Sequence, residues 1–282
     1  MSERLRMLAG MVTPGNRVAD IGCDHGFLSI YLVREGLCPG AVGMDLREGP
    51  LAAARAHVEE YGLGDYIELR LSDGLAEYVP GEADTMICAG MGGRLMEGIL
   101  TRGMEKAREM KELILQPQSE LPSFRRFLRN AGFEIVREEA LREGGKYYFA
   151  MKARYTGECR KEAGGGLGGS VEGIGEAEGS GNRKEAGGGL GGSVEEIGEA
   201  KQSREPEELQ ELYDTYGRLL LTGRHPVLEE YLHRQESALK SLTAALEAGE
   251  GGTVSEKARI RRREVMKELE RNQKALLYYS FR

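Results

Sequence analysis

The chain has no apolar run approaching the roughly 20 residues that a membrane span requires. Between Met1 and Gly10, the charged residues Glu3, Arg4 and Arg6 stand too close together for the apolar core of a secretory signal, so a cytoplasmic protein is expected. The four cysteines, Cys23, Cys38, Cys88 and Cys159, form no C-x-x-C pair, and the four histidines fall at no ligand spacing with them. Neither a metal site nor a disulfide framework is therefore expected. Cys23 and Cys88 stand at or beside expected strand ends with no base nearby in sequence, and read as small buried hydrophobes rather than nucleophiles. An excess of positive charge is also missing. The net charge of −7 argues against a nucleic-acid partner until its distribution is considered. From Thr156 to Glu205 there are ten glutamates against six lysines and arginines, so more than half of the acidity lies in one segment.

What is present is a chain of 282 residues, 40% hydrophobic, long enough for one sizeable domain and a smaller one. Val18 to Ile21 reads as a buried strand, Gly22 to Gly26 as a tight turn, and Phe27 as the start of a helix. α/β sheets hold nucleotide-like ligands at such a junction. A dinucleotide site wants G-x-G-x-x-G, but Asp24 stands at the second glycine position, where it would repel a diphosphate. S-adenosylmethionine has no phosphate and carries a sulfonium and an α-amino group, which suit carboxylates at Asp20 and Asp24.

Along the chain, Ser2 to Met11 reads as a short helix with Leu5, Leu8 and Met11 on one face. Ala41 to Asp45 is expected as the second strand. Asp45 ends it about 20 residues beyond the glycine turn, where a carboxylate can accept from both ribose hydroxyls. The alternative is an N-cap for a helix from Pro50 to Tyr61, a role better suited to Glu48 or Gly49. Tyr66 to Leu71 is the third strand, and the Asp73-Gly74 that follows suits either the adenine edge or an ordinary Asx-type turn. Ala83 to Cys88 is the fourth, opening into Ala89-Gly90-Met91-Gly92-Gly93, where a flat group can approach the backbone. Leu113 to Leu115 is the fifth strand, and Leu121 to Asn130 is a helix. Phe133 to Glu139 and Tyr147 to Ala153 are joined by so short a loop that they must pair antiparallel. A terminal hairpin on an otherwise parallel sheet closes class I methyltransferases.

Together Asp20-Ile-Gly-Cys-Asp-His-Gly26, Asp45 with Glu48-Gly49-Pro50, Asp73-Gly74, Ala89-Gly-Met-Gly-Gly93 and Leu113-Ile-Leu-Gln-Pro117 resemble the motif series of the TrmK family. Its members are tRNA (adenine(22)-N(1))-methyltransferases. The resemblance covers about residues 1–154 and resumes near Leu212, with Gln118 where asparagine is common. It implies an α/β fold: a class I methyltransferase Rossmann-like sheet, followed by a small all-α coiled-coil domain. It also implies methyl transfer from S-adenosylmethionine to N1 of an adenine in tRNA. The cofactor site falls to Asp20, Gly22, Asp24, His25, Gly26, Asp45, Leu46, Asp73, Gly74, Ala89, Gly90 and Met91. Asp24 and His25 border the transfer site as catalytic candidates, with His25 either a general base or a hydrogen-bonding wall. A methyltransferase on another RNA or on protein, and a catalytically silent cofactor-binding module, stand as rival readings.

Arg160 to Ala177 recurs as Arg183 to Ala200 with one change, Gly173 to Glu196. Two glycine-rich copies cannot bury a core, so residues 155–205 are expected to form a disordered linker between a domain at 1–154 and one at 206–282. Beyond Pro206, Leu228, Leu232, Leu239, Leu242 and Leu246 keep a 4/3 rhythm. After Gly249 to Gly252, Ala258, Val265, Leu269, Leu276 and Tyr279 do the same, as in an antiparallel coiled coil. Arg259, Arg261, Arg262 and Arg263, with Lys257 and Lys267, form either a solvated face or an RNA-contacting arm. Arg94, Arg224 and His225 are candidates for the same surface. A monomer is expected, with tRNA as partner and no metal or membrane.

Overall fold

The computed structural model describes residues 1–157, 206–248 and 256–280. The expected linker from residue 158 on, Cys159 and the glycine turn at 249–252 lie outside the described residues. Seven strands form one sheet: β1 (Val18–Ile21), β2 (Ala41–Asp45), β3 (Ile67–Leu71), β4 (Thr85–Met91), β5 (Glu112–Pro117), β6 (Phe133–Glu143) and β7 (Lys146–Tyr155). Their order is β3-β2-β1-β4-β5-β7-β6. The first five are parallel, and β7 runs antiparallel to both β5 and β6. This is the class I methyltransferase sheet that the motif series implies. β1, β2 and β5 are buried at every position, as strands covered on both faces must be, and mostly apolar, with Asp20, Asp45, Glu112 and Gln116 as the polar exceptions.

Around the sheet run α1 (Glu3–Ala9), α2 (Phe27–Arg34), α3 (Glu48–Glu60), α4 (Gly93–Arg102), α5 (Met104–Glu109) and α6 (Leu121–Asn130). The Ser2 hydroxyl caps α1 by accepting from Leu5 N, 3.3 Å. Three expectations shift. The strand expected to end at Cys88 continues to Met91, because β5 also runs on to Pro117 and supplies partners for Ala89 and Met91 around an irregularity at Gly90. The hairpin strands are each longer than expected, since their pairing reaches the two-glycine turn. The N-cap of α3 is Arg47, not Glu48 or Gly49, and Asp45 Oδ1 accepts a hydrogen bond from Arg47 N at 2.9 Å.

After residue 205 come α7 (Glu207–Tyr216), α8 (Arg218–Thr222), α9 (Pro226–Ala248) and α10 (Glu256–Leu276), then a 3-10 turn at Leu277–Tyr279. α7, α8 and α9 cover the β6 edge, where Ala140 and Phe149 share a core with Leu212, Leu220, Leu221, Leu228 and Leu232. α9 and α10 pack antiparallel: Asn272 Nδ2 donates to Leu232 O and Gln235 Oε1, and Arg262 pairs with Glu247. The expected heptad faces are buried at Leu228, Leu232, Leu239 and Val265, but Leu242 is 38% exposed. The joint to the sheet is charged. Arg125 on α6 donates from Nε to Glu138 Oε1 at 2.9 Å with both side chains buried, and Glu138 Oε2 accepts from Leu219 N at the start of α8. Arg129 holds Asp214 of α7 through both guanidinium nitrogens.

Candidate active site

A cavity of about 480 Å³ opens at the carboxyl ends of β1 to β4, within the size range of small-ligand sites. Asp20, Gly22, Asp24, His25, Asp45, Leu46, Asp73, Gly74, Ala89, Gly90 and Met91 all line it. Of the expected cofactor set, Gly26 alone does not; it starts α2 with φ +73° and donates to Cys23 O at 2.8 Å, which closes the turn. A larger cavity, about 640 Å³, lies at the joint between α6, β6 and α7. Its buried arginines and carboxylates already satisfy one another, so it makes no comparable demand for a ligand.

The β1–α2 turn is bent by the sequence itself. Gly22 takes φ +75°, and a Cβ there would run into Met91 Cε, so the β4 end rests on bare backbone. Gly22 N and Cys23 N both donate to Met44 O, at 2.7 and 3.0 Å, which ties the turn to β2. Asp24 is left-handed at φ +51°, a conformation aspartate tolerates better than most residues. Its amide donates to Asp45 Oδ2 at 3.2 Å, while Asp45 Oδ1 accepts from Arg47 N. Each Asp45 oxygen thus spends one acceptor direction on the loops. Asp45 is buried yet lines the cavity, so its remaining acceptor capacity is directed to the cavity.

Asp20 is buried at the end of β1, and Ser29 Oγ donates to its Oδ2 at 2.8 Å. Burial raises its carboxyl to about 6; the Ser29 hydrogen bond opposes the rise and the nearby Asp45 charge adds to it. Burial, then the Asp20 charge, pushes the Cys88 thiol up to about 12. The Cys23 thiol is raised for the same reasons, so both stay protonated packing groups. Asp24 and His25 are half-exposed at the mouth, with His25 Nε2 3.7 Å from Asp24 Oδ1. His57 Nδ1 donates to His25 O at 3.0 Å and its ring stacks on Phe27, centroids 4.6 Å apart. Asp73 pairs with Arg102 at 3.0 Å. Ser72, not Asp73, holds that turn, its hydroxyl donating to Gly74 O and accepting from Glu77 N.

Sequence reasoning missed several lining residues. Phe27 (46% exposed) and Leu95 (53%) present apolar surface at the rim beside Leu46 (66%). An aromatic directly after the last turn glycine was the available signal for Phe27. Arg4, on α1, carried none. Among the RNA-contacting candidates, Arg94 lies next to the mouth at the start of α4 and pairs with Glu120 at 2.9 Å. Arg224 lies in the turn between α8 and α9, and Arg259, Arg261, Arg262 and Arg263 lie on α10; all five are exposed, Arg261 pairing with Glu264 and Arg262 with Glu247. His225 sits beside Glu139 at 3.6 Å.

The donor set fits the ligand expected from the sequence. Four carboxylates and bare backbone suit a cationic nucleoside, and Asp24 stands where a diphosphate would need glycine. Among the described residues no group of three His, Cys, Asp or Glu is arranged to hold a metal, and no helix is long and apolar enough to cross a membrane.

Comparison with known proteins points the same way. The family described as "Methyltransferase domain" matches residues 1–151. The chain is similar to the tRNA (adenine(22)-N(1))-methyltransferase of Bacillus subtilis, 37% identical over 54% of this chain; the match spans 64% of that relative's length. Among solved structures it resembles Sp1610 of Streptococcus pneumoniae in complex with S-adenosyl-L-methionine, at 25% identity and a TM-score of 0.70, over 98% of this chain and 99% of that one. It shares its fold with the B. subtilis m1A22 tRNA methyltransferase TrmK, at 22% identity and a TM-score of 0.70, over 98% of each chain. The chain belongs to the methyltransferase-domain family.

Proposed function

We propose that this chain transfers the methyl group of S-adenosylmethionine to N1 of an adenine in tRNA, at the position named for its Bacillus subtilis relative, as a cytoplasmic monomer. The observation that carries the reading is the acidic cavity, with Asp24 held left-handed at the turn where a dinucleotide site keeps glycine. In this reading residues 1–154 form the catalytic domain, 155–205 a linker and 206–282 a helical coiled-coil domain.

Asp45 accepts from the ribose hydroxyls. Asp20 and Asp24 face the cationic amino-acid end. Leu46, Asp73, Gly74 and the Ala89-Gly90-Met91 backbone enclose the adenine. When bound, S-adenosylmethionine supplies an electrophilic methyl carbon, and the positive charge of its sulfonium passes to the target ring. N1 of adenine is an uncharged nucleophile with a free lone pair at neutral pH, so no side chain need first remove a proton from it. The work of Asp24 and His25 is therefore to align the target base and to tolerate the charge arriving on it. N1 lies on the Watson-Crick edge, so the base must be turned out of its stack, and Phe27 is the aromatic at the rim best placed to receive it. The exposed arginines at 94, 224, 259 and 261–263 supply phosphate contacts that orient the folded RNA.

The test is incubation of undermodified bacterial tRNA with labelled S-adenosylmethionine, followed by nucleoside analysis. The expected product is 1-methyladenosine. Label in another nucleoside, in protein, or nowhere overturns the reading.

A further inference from the structure

The carboxylates of the cavity all come from one side of it. Asp20, Asp24, Asp45 and Asp73 stand at or just beyond the ends of β1, β2 and β3, and the sheet order sets these strands to one side of β4 and β5. At the β4–β5 end the lining charge is Arg4. Its Nη1 donates to Gln116 Oε1 on β5 at 2.9 Å, and its guanidinium carbon lies 5.7 Å from the centroid of Tyr148 on β7. A Cβ on Gly90 of β4 would stand 3.3 Å from the same Nη1. Among the described residues no carboxylate pairs with Arg4, whereas the other lining arginine, Arg47, has Asp45 at 3.9 Å.

α1, which carries Arg4, is fixed at both ends. Glu143 Oε1 accepts from Glu3 N at 2.7 Å, Arg137 Nη1 donates to Gly10 O at 2.9 Å, and Leu8 and Ala9 are buried. The guanidinium is thus a positioned cation with one donor committed to a neutral amide and the rest available.

Four classes of group could meet it in the cavity, and charge removes two of them. A sulfonium or ammonium would be repelled and has the acidic side instead. The edge of the target base is a poor partner, because that ring gains a positive charge as it is methylated. The α-carboxylate of the cofactor and a phosphodiester oxygen of the RNA both suit a guanidinium and keep their charge through the reaction, but the first is tied through one carbon to the ammonium that faces Asp20 and Asp24 on the β1–β3 side. Resting on the reading that the cavity serves an RNA substrate, we propose that Arg4 binds a backbone phosphate beside the turned-out adenosine. The cavity is then divided, with a cationic donor on the β1–β3 side and the anionic chain of the acceptor on the β4–β5 side.

The test compares the full-length protein with Arg4→Gln and Arg4→Lys in three measurements: kcat and KM for tRNA across a salt series, affinity for S-adenosylmethionine, and thermal midpoint. Loss of one phosphate contact is expected to raise KM for tRNA about tenfold in Arg4→Gln, with kcat held within about twofold. It should also make log KM less steep against log salt by about 0.7 to 0.9. Cofactor affinity and midpoint stay unchanged, and Arg4→Lys recovers part of the KM. An unchanged KM and salt slope in Arg4→Gln overturns the proposal. So does a drop in cofactor affinity with the salt slope intact, which assigns Arg4 to the α-carboxylate of the cofactor, and so does a drop in midpoint alone, which marks it as a docking residue for α1. If the unmutated protein neither binds nor methylates tRNA, the reading of the cavity fails and the Arg4 assignment with it. Methylation by the unmutated protein with an unaltered slope in Arg4→Gln removes the Arg4 assignment alone.

Discussion

Lowering the pH should weaken cofactor binding through Asp20, and the size of the effect follows from its surroundings. The carboxyl is buried, receives one hydrogen bond from Ser29 on α2, and faces Asp45 on β2 and the Cys23 thiol of the turn; it titrates at about 6 against an ordinary 3.8. A raised pKa means that the folded protein holds this proton where the unfolded chain has lost it. Stability therefore falls as pH rises from about 4 to about 6, and above that the ionised carboxylate costs about 3 kcal/mol. A cationic ligand in the cavity recovers part of that cost and favours the ionised form. Affinity should accordingly rise with pH up to about 6 and level off; if the ligand returns Asp20 to its ordinary range, affinity at pH 5 is about tenfold below that at pH 7. Calorimetric titration of S-adenosylmethionine across this range measures it. Asp20→Asn should flatten the profile and stabilise the ligand-free protein at neutral pH. An affinity independent of pH refutes the reasoning. A slope that persists in Asp20→Asn removes the assignment to Asp20.

Asp45→Ala removes the acceptor for Asp24 N and Arg47 N as well as the proposed ribose contact, and should weaken S-adenosylmethionine binding by about 10- to 100-fold while circular dichroism stays native. Unchanged affinity would remove the ribose assignment. Gly90→Ala places a Cβ at φ +80°, costing about 1–2 kcal/mol, and sets it 3.3 Å from Arg4 Nη1, so KM for tRNA should rise as well as the thermal midpoint fall. A lowered midpoint with KM unchanged would point to backbone strain alone. Glu138→Gln leaves the Arg125 guanidinium buried beside a neutral amide and takes the charge from the joint to α8; chemical denaturation should show a loss of about 3–5 kcal/mol. A midpoint within error of the parent would show that the joint adds little.

The parts of the fold legible in the sequence are those whose signal is local. The β1 strand, its glycine turn, Asp45 at the end of β2 and the closing hairpin each lie within a few consecutive residues, where strand burial and turn chemistry leave direct marks. Arg4 was silent because its role depends on α1 docking against a sheet whose Gln116 lies far along the chain. Phe27, beyond its place after the turn glycine, and Leu95 carry no local mark that sets them apart from other helix residues; their exposure follows from where α2 and α4 begin relative to the cavity. Arg125, Arg129 and Asp214 look solvated in a polar helix pattern, yet α7 and α8 close over them and convert surface charges into a buried joint. The heptad rhythm of α9 identified Leu228, Leu232 and Leu239 but overstated Leu242. Near the sheet α9 packs on β6 and α10 together, while farther out α10 alone covers it.

The ligand of the cavity is tested most directly by titrating the purified protein, in one set of conditions, with S-adenosylmethionine, S-adenosylhomocysteine and a nicotinamide dinucleotide. Binding of the first two at one molecule per chain, weakened together in Asp45→Ala, with no heat from the dinucleotide, is the expected result. Uptake of the dinucleotide with no response to either sulfur nucleoside would contradict it.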